Sequence, residues 1–343
     1  VDDLVDRLRE SLSGSEGWIV GGALRDELVG RPVLDVDVVC GDPVRAVRSF
    51  ARHGIGAPFP LSERHGAWRV VLEDGRTIDF TPLQGDIEHD LAGRDFTLNA
   101  MARPLAGGPD VDPFAGRADI ASRTVRAVSQ GVFEADPLRL LRAVRLEDEL
   151  GFDCDPATEQ LVRGHAELAG LAAGERILGE LERLSAAGLR RLDAMGLLEA
   201  LGGSEERLDR AGLIDAPEFR LVCAFGTALE RLPIPRRLDR YARTLADADP
   251  PPDSSARAIH RFRRETEPWA LDALAYLGRL DLTDAVEQAR RDEPEEPLLR
   301  GDELGLSPGP EIGHMLAVIA EERAAGTITT REEALELVRR RAR

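Results

Sequence analysis

The pair Asp35 and Asp37 constrains this chain more than any other feature of its sequence. It lies in DVDVVC at 35 to 40, a short apolar run of strand character. Residues two apart on a strand point to one face, so the two carboxylates are brought together. Left alone they repel, and a divalent cation between them is the best explanation; a solvated edge strand is the plainer alternative. Magnesium takes carboxylate oxygens while keeping sites for substrate phosphates. Two metals so held can activate an attacking hydroxyl and stabilise the departing oxygen in an in-line displacement at phosphorus. Asp79, in a strand expected at 76 to 80, offers a third carboxylate to the same cluster, or is simply an exposed strand-end aspartate.

Just upstream, GWIVGGALRDELVG reads as a strand at 18 to 20, a turn at Gly21 and Gly22, and a helix from about Ala23 to Gly30, where a left-handed cap favours glycine. A strand-to-helix turn without side chains lets backbone amides and the helix dipole meet a phosphate. A plain tight turn has the same signature.

Further strand-like runs at 67 to 73 and 76 to 80, set among helical patterns, make the first part of the chain α/β. From about 131 onward apolar residues recur at three and four, as in Leu138, Leu141 and Val144, so the rest reads as helical. ADADPPPDSSA at 246 to 256 is a loop by composition. Thr330 and Glu333 have capping-box spacing and open a last helix at about 331 to 340.

At 343 residues the chain has the length of two or more domains. No stretch reaches the roughly 20 apolar residues of a membrane span, and VDDLVDRLRE lacks the basic flank and apolar run of a signal peptide, so a cytoplasmic protein is expected. Cys40, Cys154 and Cys223, odd in number and far apart, read as buried free thiols. A formal charge of −18 argues against a surface that coats nucleic acid, though not against a local basic groove. All 45 basic residues are arginine, whose planar fork suits phosphates and base edges. Aromatics, at 4%, are too sparse for a base-stacking platform.

Taken in order, GGALRDELVGRPVLDVDVV, GRDFTLNAMA and DPLRLLRAVRL resemble the class II tRNA nucleotidyltransferase and bacterial poly(A) polymerase family. The likeness continues through GERILGELERL at 174 to 184 and into 297 to 335, which is similar to the tail of tRNA-specific members. The resemblance implies an α/β nucleotidyltransferase (polymerase β-like) head at 1 to 130, then an all-helical neck at 131 to 200, body at 201 to 293 and tRNA-binding tail at 294 to 343. It implies addition of C, with or without A, from CTP and ATP to the tRNA 3′ end, with Mg2+ as cofactor, no membrane and no protein partner.

By position, Gly22 and Arg25, with Gly21 beside them, match contacts to the triphosphate, and Asp35 and Asp37 match the metal-binding pair. Arg94, Asp95 and Asn99 match the motif that contacts sugar and phosphates. Asp136, Arg139, Arg142 and Arg145 recur every three residues, which on a helix makes a slowly rotating stripe with Asp136 beside Arg139. Aspartate accepts from an exocyclic amine while arginine donates to ring nitrogen and carbonyl, so the pair can complement a base edge. A surface salt-bridge ladder is the other reading of that spacing alone; the resemblance implies the template that chooses CTP and ATP.

The chain departs from the family pattern in four places. Gly93 stands where the family has a first arginine, and Ala135 where it usually has glutamate, with Glu134 one further back. The span between Asp79 and Arg94 leaves little room for the long flexible loop of CCA-adding members, a mark of enzymes that add only CC. The histidines, His53, His65, His89, His165, His260 and His314, read as singletons without the paired spacing of the metal-binding hydrolase domain that some relatives carry. CC addition is therefore favoured over full CCA addition. A poly(A) polymerase is disfavoured by the tail resemblance, and a catalytically silent RNA-binding protein by the intact Asp35 and Asp37.

Overall fold

The computed structural model describes residues 2–12, 16–52, 56–62 and 66–341; His53 and His65 fall outside them. The chain divides into two compact units, Val1–Leu201 and Gly202–Arg343. The first holds the whole of a six-stranded sheet: β1 (Gly17–Val20), β2 (Asp35–Cys40), β3 (Ala57–Ser62), β4 (Ala67–Val71), β5 (Thr77–Pro82) and β6 (Ala102–Pro104). Their order is β3-β4-β5-β2-β1-β6. Only β2 and β5 run parallel.

Alternation along β2 decides what each face does. Val36, Val38 and Cys40 point into a core with Val70, Ile78 and Phe80, beneath the helices Asp2–Ser11, Gly22–Val29 and Pro43–Ala51. On the opposite face Val20 and Val39 pack with Leu91 and Ala100. Asp35 and Asp37 share that second face with Val39, at the end of the strand where the apolar cover stops.

Two strands were not legible in the sequence. β3 carries Pro58 and Pro60, which lack an amide donor; it is tolerated because β3 is an edge strand paired only with β4. β6 is three residues long and follows a 3-10 turn at Thr97–Asn99. The reading of everything after 131 as helical also needs correction, since Asp153–Cys154 pairs in parallel with Thr124–Val125.

The neck helix Leu138–Leu150 starts after Pro137, not before Asp136. Asp136 is extended, with φ −149° and ψ 101°, so the four-residue stripe is a three-arginine stripe preceded by an aspartate at the helix entrance. The apolar positions of this helix, Leu140, Leu141, Val144 and Leu146, are fully buried.

The second unit is helical, with a core that includes Phe219, Leu245, Phe262 and Leu274 and a further cluster from Leu299 to Val338. Its last helix, Arg331–Arg341, opens as anticipated: Thr330 Oγ1 accepts from the Glu333 amide at 3.3 Å and Glu333 accepts from the Thr330 amide at 3.0 Å. The three cysteines are free and buried, and burial pushes their thiols up to about 11 for Cys40 and about 12 for Cys154 and Cys223. Among the described residues, no helix is long and apolar enough to cross a membrane.

Candidate active site

A cleft of about 830 Å3 in the first unit is lined by Gly21, Gly22, Arg25, Asp35, Asp37, Arg94, Asp95, Asn99, Arg139, Arg142 and Arg145. It thus collects most of the residues singled out from sequence; Asp79 and Asp136 are not part of its lining. Its floor is the open end of the sheet face that carries Asp35 and Asp37. β1 leads into the cleft, and Gly21 turns the chain at φ 74° into the helix Gly22–Val29. A Cβ on Gly21 would lie 3.0 Å from Asp37 Oδ2 and 3.3 Å from Arg94 Nη1, so glycine is required for both backbone and space. The helix ends at Gly30 in the left-handed region, as expected.

Burial raises the Asp37 carboxyl above the usual carboxylate range; Arg94 opposes this, while Asp79 and Asp35 reinforce it. Asp35 Oδ1 accepts a hydrogen bond from Thr77 Oγ1 at 2.5 Å. Two crowded carboxylates, one held partly against its own ionisation, make a donor set that suits a divalent cation. No group of three or more histidine, cysteine or acidic side chains among the described residues is arranged to hold a metal. The residues that could hold such an ion are Asp35 and Asp37, with the remaining coordination open to phosphate oxygens and water.

Asp79 corrects the expectation of a third free carboxylate. It sits beside Asp37 in register, but Arg69 takes both of its oxygens at 2.7 Å each.

Arg25, expected to contact the triphosphate, lines the cleft and is held by neighbouring side chains. Its Nη1 donates to Asn99 Oδ1 at 2.8 Å, and Nε and Nη2 engage Asp26 at 2.9 and 3.0 Å. Asn99 Nδ2 in turn donates to Asp95 Oδ1 at 3.0 Å. Asp95 Oδ2 lies 3.1 Å from Arg142 Nη1, an ion pair whose angle leaves this buried oxygen without a hydrogen bond. Arg25, Asn99, Asp95 and Arg142 thus form one chain from the phosphate-side turn to the neck helix. Arg94, at the other wall, pairs with Asp90 at 3.0 Å.

The neck contributes Arg139, whose Nη2 donates to the Gly93 carbonyl at 2.7 Å. Gly93, where the resemblance has an arginine, thus offers its backbone oxygen. Burial lowers the Arg139 guanidinium from its ordinary value. Asp136 does not pair with Arg139; its carboxylate is gripped by Arg176 at 2.8 and 3.3 Å. Burial alone would raise Asp136, but Arg176 and the Leu138 amide hold it below the usual range. Arg145 is buried and bound to Glu180 and Glu149, both at 2.5 Å, so it faces inward as a brace. Glu134 meets His165 at 3.4 Å, leaving the place of Ala135 without a carboxylate.

Sequence reasoning missed Arg69, Arg176 and Glu180. Arg176 and Glu180 stand four apart in GERILGEL, the spacing of one helix face, and that was the available signal. His89 and Asp90 do form an adjacent His-Asp pair, which the reading of all six histidines as singletons missed; Asp90 pairs with Arg94. His89 lines the cleft.

A mixed sheet bearing a carboxylate pair beside a glycine turn, with arginines of the helix Leu138–Leu150 lining the same cleft, is an arrangement suited to nucleotidyl transfer. Residues 68–126 match the family model of the poly A polymerase head domain. The chain is 42% identical to the CC-adding tRNA nucleotidyltransferase of Geobacter sulfurreducens, over 66% of its own length and 55% of that protein. It is 33% identical to the A-adding tRNA nucleotidyltransferase of Deinococcus radiodurans, over 94% of each chain. The solved structure of the Thermotoga maritima CCA-adding enzyme complexed with tRNA shares the fold, with a TM-score of 0.75, 22% identity and coverage of 99% of this chain and 95% of that one. The chain belongs to the tRNA nucleotidyltransferase family. It spans about half the length of the Geobacter relative and nearly all of the Deinococcus one.

Proposed function

We propose that the protein transfers cytidylate from CTP to the 3′ end of tRNA and stops once CC is in place. The observation that carries the transfer reaction is the meeting, in one cleft, of Asp35 and Asp37 with the Gly21–Gly22 turn and the neck arginines Arg139 and Arg142. The tRNA 3′-hydroxyl oxygen forms a bond to the α-phosphorus as the bond to the bridging oxygen breaks and pyrophosphate departs. Mg2+ bound by Asp35 and Asp37 would neutralise phosphate charge and lower the pKa of the attacking hydroxyl. Arg94 and the amides at the Gly21–Gly22 turn hold the triphosphate. Arg25 orients Asn99, and Asn99 with Asp95 meets the ribose hydroxyls. Asp136 and Arg139 read the base edge, the first set by Arg176 and the second by the Gly93 carbonyl. Arg142 and Arg145 stiffen the helix that carries them. In the division into head, neck, body and tail at 130, 200 and 293, we assign the tRNA contact to the tail, 294 to 343.

The stop at CC rests on the connector from β5 to the next helix. β5 ends at Pro82 and the helix Ile87–Ala92 begins after an Asp86 cap, leaving four residues, 83 to 86. Leu83 is tied to the Cys40 carbonyl at 2.9 Å, and Asp86 accepts from the His89 amide at 2.8 Å. Switching one template pair between two bases requires it to be moved, and a connector fastened at both ends supplies no lever. The Geobacter relative's name points the same way. The test is extension of tRNA lacking CCA with CTP, ATP and Mg2+ present, read at single-nucleotide length. Product should accumulate at the CC end. Prompt extension to the full CCA end would refute the stop, and runs of A on generic RNA would replace the tRNA reading with a polymerase.

A further inference from the structure

The register of the sheet sets five residues in one row across neighbouring strands: Arg69, Asp79, Asp37, Val20 and Ala102. Side chains in such a row share a face. Asp79 is therefore the immediate neighbour of Asp37, placed to make a third ligand to any cation there. Both of its oxygens are already engaged. Arg69 Nε donates to Oδ1 and Nη2 to Oδ2, each at 2.7 Å, the two-pronged geometry that makes arginine–carboxylate pairs strong and directional. Asp79 is 16% exposed and Arg69 35%, so the pair is partly shielded from water.

We infer that Arg69 is a positioning residue that withholds Asp79 from the cation, keeping the protein's share of the metal site to Asp35 and Asp37. The inference rests on the reading of that pair as cation ligands. Its physical sense is in the accounting of charge and coordination. Affinity for a hard divalent cation rises with the number of carboxylate ligands, and each protein oxygen added removes a position that a phosphate oxygen would take. With Asp79 capped by a guanidinium, the row presents one negative charge from Asp37 where it would otherwise present two. The cation is then held loosely by the protein alone and completed by the triphosphate.

Direct Mn2+ binding without nucleotide, followed by electron paramagnetic resonance, tests this on the intact chain. Arg69→Met should bind Mn2+ at least about tenfold more tightly than wild type, because Asp79 is released to the cation. Arg69→Lys, which keeps the charge, should stay close to wild type. Asp79→Asn alone should bind Mn2+ within about twofold of wild type, and Arg69→Met combined with Asp79→Asn should lose the gain. Weakening of Mn2+ binding by Asp79→Asn alone would overturn the inference and leave the Asp35–Asp37 reading standing. Unchanged binding in a folded Arg69→Met, judged by circular dichroism, would overturn it as well. Undiminished binding in Asp37→Asn would overturn both.

Discussion

Asp37→Asn is expected to stop nucleotide transfer, by about a thousandfold or more, while raising the melting temperature of the metal-free protein. The loss follows from removing one of two carboxylates that hold the charge-neutralising ion, on the scale seen when a single preorganised electrostatic group is lost from an active site. The gain follows from the sign of the shift at Asp37. Its carboxyl is raised on folding, mainly by burial. The folded state therefore binds the proton more tightly than the unfolded one, and ionisation at neutral pH costs stability. That cost is absent below the unfolded pKa and is fully present above the folded one, so wild type should regain stability as pH falls through the folded value. The asparagine variant removes this dependence. Adding Mg2+ should stabilise wild type and leave the variant unmoved. Thermal scans with and without Mg2+ at two pH values, beside CTP incorporation, check all four outcomes. Near wild-type incorporation would sink the metal assignment.

Arg139→Ala and Asp136→Ala are expected to loosen base choice by about 1 to 3 kcal/mol, roughly 5- to 150-fold, measured as incorporation of UMP or GMP against CMP. The two side chains reach this role by separate routes. Asp136 stands at the entrance of the neck helix, fixed by Arg176 and kept ionised, hence an acceptor only. Arg139 is anchored through Nη2 to the Gly93 carbonyl and through Nη1 to the Val132 carbonyl, and has further donors to offer. Arg176→Met should therefore weaken discrimination as Asp136→Ala does, although Arg176 has no place in the cleft lining. Arg142→Ala should lower turnover without altering choice. Unchanged exclusion of UTP and GTP in both template variants would remove the template role.

What was legible from sequence follows from range. The strand at 35 to 40, the glycine turn and the last helix are written in residues within four of one another, and periodicity or capping chemistry reads such spacings directly. The pairing of Asp79 with Arg69 is set by a hairpin register, and that of Asp136 with Arg176 spans 40 positions. Neither leaves a local trace. The start of the neck helix was misplaced because Pro137 is a good first-turn residue, so the stripe from Asp136 looked continuous when the aspartate in fact lies outside it. β3 was missed because two prolines mask a strand wherever its position at the sheet edge is unknown.

The arginines of the cleft have a consequence beyond their individual contacts. Seven of them line it: Arg25, Arg31, Arg94, Arg139, Arg142, Arg145 and Arg183. All but Arg139 have a carboxylate within 4.0 Å among the described residues. The lining also holds Asp26, Asp35, Asp37, Asp90, Asp95 and Glu149, so the formal charges nearly cancel. Such a cavity casts little field into solution, and a triphosphate approaching it gains no long-range steering. Capture is then a short-range exchange in which phosphate oxygens replace carboxylates as partners. The cleft's own charges should accordingly add little ionic-strength dependence to the association rate for nucleotide, despite the abundance of cationic side chains around it; the dependence that remains comes from the overall charge of −18.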